Sequence, residues 1–192
     1  MNNIGLFFGS FNPVHIGHLA LANYIVENSN LNEIWFVVSP QNPFKKSNDL
    51  IDTKHRITML ELCVNNYSKF KVSAIEQELP SPSYSYVTLR ELRKLHPDNN
   101  FSIIMGSDNL ELLMKWKNID EIIKNHNIIV YPRPGYPIIN HDKVPNLDIV
   151  EAPVFNIDST RIRKGILEGK NYGFLVPKNA YSYITKNNLY SN

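Results

Sequence analysis

Short apolar runs alternate along the chain with stretches in which apolar residues recur every three or four positions, and this alternation predicts the elements. Residues 4–8 read as a strand, 16–27 as a mostly buried helix and 33–39 as a second strand rich in aromatic and branched residues. Residues 53–65 are helical, 70–74 a strand, 86–95 a helix and 101–105 a strand. Residues 110–116 and 120–124 read as short helices, followed by strands at 127–131 and 147–150. Helices at 160–168 and 179–186 close the chain, and 137–146, with prolines and no periodicity, reads as a loop. Repeated strand–helix–strand units specify a parallel sheet with helices on both faces. The expected fold is therefore a doubly wound α/β domain spanning residues 1–192. Ligands of such sheets bind at the carboxyl ends of the strands. Gly9-Ser10, Ser39-Pro40, Gly106-Ser107-Asp108 and Pro132-Arg133 all fall at such ends.

Composition narrows the function classes. At 192 residues with 43% hydrophobic content the chain can bury a substantial core. A net charge of +2 is too small to suggest a nucleic-acid or membrane surface. No apolar run is long enough to span a bilayer, and the N-terminus opens on a strand rather than a signal-like segment. The single cysteine, Cys63, excludes an internal disulfide and fits a reducing cytoplasm. It lies in an apolar helical run, where an inert core thiol is expected.

Chemistry concentrates first at Gly9-Ser10-Phe11-Asn12-Pro13-Val14-His15-Ile16-Gly17-His18. This segment leaves a strand, turns tightly and enters a helix, with His15 and His18 at the junction. Two histidines three apart share one face of a helix start, beside unpaired backbone N–H groups and the positive end of the helix dipole. That is an anion site. Gly9 lets backbone approach a ligand and Gly17 keeps a side chain away from the histidines. Fixed donors without a nucleophile suit phosphate chemistry. The other readings of His-x-x-His are half a metal site or a structural pair. Further ligands at helical spacing are missing before Glu27.

A second cluster is Ile157-Asp158-Ser159-Thr160-Arg161-Ile162-Arg163. Ser159 or Thr160 starts a helix that Gly169 can end. Arg163, four residues after Ser159, then shares its face at the positive end of the dipole, while Arg161 faces elsewhere. Between the clusters lie several weaker signals. Asp52 caps the helix that follows, and Arg56 either pairs with it or faces the loop. Gly106 permits close approach, Asp108 offers a carboxylate to a ribose hydroxyl or a metal-bound water, and Trp116 is either core or a flat face for a ring. Pro132-Arg133-Pro134 presents one guanidinium suited to phosphate. The tail, with Ala180, Tyr181 and Ile184 inward, reads as packing and nothing more.

These motifs together resemble the nucleotidyltransferase superfamily with its (H/T)xGH signature. Within it they resemble the bacterial nicotinate-nucleotide adenylyltransferases. The resemblance covers nearly the whole chain and includes the loop ending Pro43-Phe44-Lys45-Lys46, Asp52…Arg56…Met59-Leu60, and Pro82-Ser83-Tyr84-Ser85-Tyr86-Val87-Thr88-Leu89. Three positions depart from it. Lys45 stands where histidine is usual, Ser85 where threonine is usual, and Asp158 replaces a serine beside the phosphates, so its carboxylate is expected to point away.

The resemblance implies transfer of the adenylyl group of ATP to nicotinate mononucleotide, with His15, His18, Lys46 and Arg163 as catalytic residues. It implies ATP contacts from Gly9, Ser10, Phe11, Gly106, Asp108, Ser159 and Thr160. The mononucleotide would meet Ser85, Tyr86, Thr88, Trp116 and Arg133, its carboxylate held by backbone amides of the 82–89 segment. Mg2+ would arrive with ATP, held by phosphates and water rather than by protein side chains. A cytoplasmic enzyme is expected, with a homodimer allowed and no nucleic acid or membrane as partner. Two alternatives stand beside it: a sister enzyme for another phosphate acceptor such as phosphopantetheine, and a non-catalytic nucleotide sensor.

Overall fold

The computed structural model describes residues 1–40, 50–138, 142 and 144–191. The first half contains β1 (Asn2–Gly9), α1 (Ile16–Glu27), β2 (Glu33–Val38), α2 (Thr53–Val64), β3 (Phe70–Ser73) and α3 (Ser85–Leu95). Then come β4 (Asn99–Gly106), α4 (Ser107–Leu113), α5 (Ile119–Asn125), β5 (Asn127–Tyr131) and β6 (Leu147–Ile149). Helices α6 (Ser159–Leu167) and α7 (Lys178–Lys186) follow. All six strands form one parallel sheet in the order β3-β2-β1-β4-β5-β6.

Alternation along each strand divides the core into two. Ile34, Phe36 and Val38 of β2 join Phe7, Ile104 and Ile129 on one face, covered by Leu21 and Ile25 of α1, Met59 and Leu60 of α2, Ile162 of α6 and Ile184 of α7. Trp35 and Val37 join Leu6, Ile103 and Val130 on the other, covered by Leu89 of α3, Leu113 of α4 and Ile122 of α5. Each such side chain contributes about 1.5–3 kcal/mol through burial. A strand buried on both faces must be apolar at successive positions, which is why β2 reads as a continuous hydrophobic run.

The doubly wound expectation holds, and most boundaries fall within a residue or two. Three local features differ. The 110–116 helix instead begins at Ser107, directly off β4 with Gly106 as N-cap, and ends at Leu113, so Trp116 lies in the turn beyond it. Helix α6 is capped by Asp158, whose side chain accepts from the Arg161 N–H at 2.8 Å, rather than by Ser159 or Thr160. A 3-10 turn at Ile75–Gln77, between β3 and α3, carries no signal in the apolar pattern. Sheet order reverses beside β1, which pairs with β2 on one side and β4 on the other; the crevice outside their carboxyl ends is where such sheets bind ligands.

Candidate active site

A cleft of about 740 Å³ opens there, within the usual range for small-molecule sites. One wall is the loop from Ser10 to Val14 and the start of α1. Phe11 takes a left-handed backbone, φ 45°, which a bulky residue holds only where its surroundings over-determine it. The surroundings do so here. Arg56, 1% exposed, donates to the Ser10 carbonyl at 2.7 Å and to those of Ser39 and Ile51 at 2.8 and 3.1 Å. Arg163 donates to the Asn12 carbonyl at 2.8 Å, Ser159 to the Pro13 carbonyl at 2.9 Å, and the Tyr190 hydroxyl to Asn12 Oδ1 at 2.9 Å. The Phe11 ring fills the space that the missing side chain of Gly9 leaves, and Gly9 itself lines the cleft.

The histidines stack with ring centroids 3.6 Å apart and an interplanar angle of 21°. His15 is the N-cap of α1, and its backbone N–H donates to His18 Nδ1 at 3.2 Å. A neutral His18 with Nδ1 accepting must carry its proton on Nε2. Burial favours the neutral form of both rings. Burial brings His15, 4% exposed, down to about 4, with the Asp158 carboxylate pulling upward and Arg133 pushing further down. Burial, then His15, then Arg133 hold His18 well below the usual histidine range. A Cβ on Gly17 would stand 3.1 Å from His15 Nδ1, so the clearance expected of that glycine is present.

The opposite wall comes from β4, α4 and the turn after β5. A Cβ on Gly106 would collide with Asp108 Oδ1 and with the Arg133 side chain. The glycine therefore lets those two come together, with Arg133 Nε 3.7 Å from Asp108 Oδ1. Asp158 and Thr160 line the cleft at the start of α6, together with Ser159 and Arg163. The Asp158 carboxylate turns into its own helix, while the residue lines the cleft and its charge reaches His15.

At the far end lie Ser83, Tyr84, Ser85, Trp116, Lys117 and Glu76. Trp116 serves both readings, packed on the second core while lining the cleft. Two expected contacts do not reach the wall. Thr88 is fully buried one turn into α3, where its hydroxyl donates to Glu76 Oε1 at 2.9 Å. Tyr86 packs on the second core with the Arg90 guanidinium 5.1 Å from its ring centre. Tyr84 takes its place on the wall, because a residue preceding a helix projects differently from one inside its first turn. Lys45 and Lys46 lie outside the described residues. Sequence reasoning passed over Glu76, and a lone acidic residue in a short polar stretch gives no signal of burial.

Among the described residues no three His, Cys, Asp or Glu side chains converge as a metal site. Burial pushes the Cys63 thiol up to about 12, as suits an inert core cysteine. No helix among the described residues is long and apolar enough to cross a membrane.

The family model described as cytidylyltransferase-like matches residues 6–165. A Flavobacterium johnsoniae protein named "Probable nicotinate-nucleotide adenylyltransferase" is 45% identical over 189 residues, covering 97% of this chain and 98% of that protein. A Christiangramia forsetii protein of the same name is 46% identical, covering 97% of each. Among solved structures, the Plasmodium falciparum nicotinic acid mononucleotide adenylyltransferase complexed with NaAD aligns with a TM-score of 0.81 at 25% identity, over 99% of this chain and 98% of that one. The chain therefore belongs to the cytidylyltransferase-like family and, within it, to the nicotinate-nucleotide adenylyltransferases.

Proposed function

We propose that this chain transfers the adenylyl group of ATP to the 5′-phosphate of nicotinate mononucleotide, releasing pyrophosphate and giving deamido-NAD. An acceptor phosphate oxygen attacks the α-phosphorus in line; the bond from that phosphorus to the bridging oxygen breaks, and pyrophosphate leaves. No covalent enzyme intermediate is involved, so catalysis is positioning and charge stabilisation. The carrying observation is the neutral, stacked pair His15 and His18 at the start of α1, facing the start of α6 across one cleft. His18 presents Nε2–H to a phosphate oxygen as a fixed donor, and two helix N-termini add their dipoles. Arg163 meets the outer phosphates while holding the Asn12 carbonyl, and Lys46 joins it on the departing pyrophosphate.

Mg2+ enters with ATP and, when bound, neutralises phosphate charge. The cleft carboxylates Asp108 and Asp158 would hold its water shell, since among the described residues too few protein donors converge to hold it directly. The acceptor end combines the flat face of Trp116 with the start of α3, an arrangement that fits a pyridine ring bearing a carboxylate. We place the reaction in the cytoplasm.

The direct test is initial-rate pyrophosphate release with ATP and Mg2+, offering nicotinate mononucleotide, nicotinamide mononucleotide and phosphopantetheine in turn. Release with the first, and faster than with the second, is expected. Release with phosphopantetheine alone would transfer the chain to the sister reaction, and none with any acceptor would leave a nucleotide sensor.

A further inference from the structure

Glu76 is a buried ionisable group for which the proposed reaction has no use. It sits in the Ile75–Gln77 turn, 3% exposed, on the cleft wall beside the first turn of α3. Thr88 donates to its Oε1 at 2.9 Å, and the Ser39 and Ser83 hydroxyls flank the carboxyl. Among the described residues Oε2 has no hydrogen-bond partner. The ionisable side chains lining the cleft include Tyr84, Asp108, Lys115 and Lys117, with the Lys117 ammonium drawn to the Tyr84 ring at 4.7 Å, and beyond them the histidine pair, Tyr131, Arg133, Asp158 and Arg163.

A carboxylate whose partners among the described residues are hydroxyls is costly to ionise in a buried position. Burial accordingly pushes Glu76 above the usual carboxylate range, the Thr88, Ser39 and Ser83 hydroxyls acting against that rise. Next to it is the start of α3. The N–H groups of Val87 and Thr88 both return to the Tyr84 carbonyl, which leaves those of Ser85 and Tyr86 outside the helix ladder. An ionised Glu76, held by Thr88 one turn into α3, would put a second negative charge beside an acceptor carboxylate bound at the start of that helix, and like charges so placed disfavour one another.

We propose that Glu76 determines acceptor choice: protonated, it leaves the start of α3 to the acceptor's carboxylate, and ionised, it repels that anion while leaving a neutral amide acceptor unaffected. The proposal rests on the acceptor site described under the proposed function. Its sign follows from the chemistry. Preference for the acid is strongest at low pH, where Glu76 keeps its proton, and falls as pH rises.

The experiment is calorimetric titration of the whole chain with nicotinate mononucleotide and with nicotinamide mononucleotide, at steps from pH 5.5 to 9. The ratio of the two dissociation constants cancels the titration of phosphate and histidines, which both ligands share. Acid-over-amide preference is expected to fall about tenfold, the fold-change equivalent to a one-unit rise in the Glu76 pKa when the acid binds. In Glu76→Gln, which stays uncharged and still accepts from Thr88, the ratio should stay flat. Thr88→Val, which removes a hydroxyl favouring the ionised form, should move the fall to higher pH. A flat ratio in the parent, or a parallel fall in Glu76→Gln, overturns the proposal. Failure of both ligands to bind overturns instead the acceptor reading on which it stands.

Discussion

His18 works through both of its ring nitrogens. Nδ1 caps the backbone at His15, which forces the proton onto Nε2, and burial against the His15 ring keeps that proton the only one. A donor that is already neutral and already oriented needs no reorganisation when charge builds on a phosphate. His18→Ala should lower kcat by about a hundredfold, the order found on removing one oxyanion donor. A loss under about fivefold in steady-state assays would remove His18 from the mechanism. His18→Asn keeps an acceptor for the His15 N–H, so it should lose comparable activity while unfolding near the parent's temperature. The residue types and their spacing were legible in the chain; the tautomer was not, because it is dictated by a hydrogen bond across the cap. Thr88 shows the same limit. The resemblance implied a ligand contact for it, and only packing against the Ile75–Gln77 turn reveals Glu76 as its partner.

Among the elements, the loop between β1 and α1 is the one that others exist to hold. Its left-handed Phe11 and the carbonyls of Ser10, Asn12 and Pro13 are secured by donors from α2, α6 and the chain's end. Arg56 was readable either as a partner of Asp52 or as a residue facing the loop, and the loop takes it, with Asp52 accepting from the Lys54 N–H instead. Burying a guanidinium is tolerable because carbonyls of three segments and the Thr53 hydroxyl satisfy it. Arg56→Met should lower unfolding stability by at least about 3 kcal/mol, since each buried carbonyl left unpaired costs about 1–3. The KM for ATP should rise several-fold. Urea unfolding beside the ATP titration checks both, and a stability change below about 1 kcal/mol would mean that the loop holds itself. Helix α4 shows where pattern reading slips. Its apolar repeat suggested a start at 110, but a helix can begin wherever a strand end supplies a cap, and Gly106 does so.

Across the whole molecule, the strand order brings residues distant in sequence to one crevice. Tyr190 lies 178 positions from Asn12, yet its hydroxyl reaches the Asn12 side chain as α7 packs on the α2 face. The tail, readable only as packing, thus also steadies the Asn12 side of the cleft. Tyr190→Phe should raise the KM for ATP about fivefold, roughly the value of one hydrogen bond near 1 kcal/mol, with little change in thermal midpoint. An unchanged KM would return the tail to packing alone. The sequence by itself determined what depends on neighbours along the chain: strand and helix periods, the sheet's parallel character, the histidines at a helix start, and Arg163 one turn from Ser159. Tertiary structure alone decided what depends on neighbours in space. It directs Ser159 and Arg163 to the backbone of another loop, caps α6 with Asp158, draws Asp108 to Arg133 and buries Glu76 under α3. Local patterns record which surfaces must leave water, whereas a buried polar group's partner is chosen by whichever segment the fold brings against it.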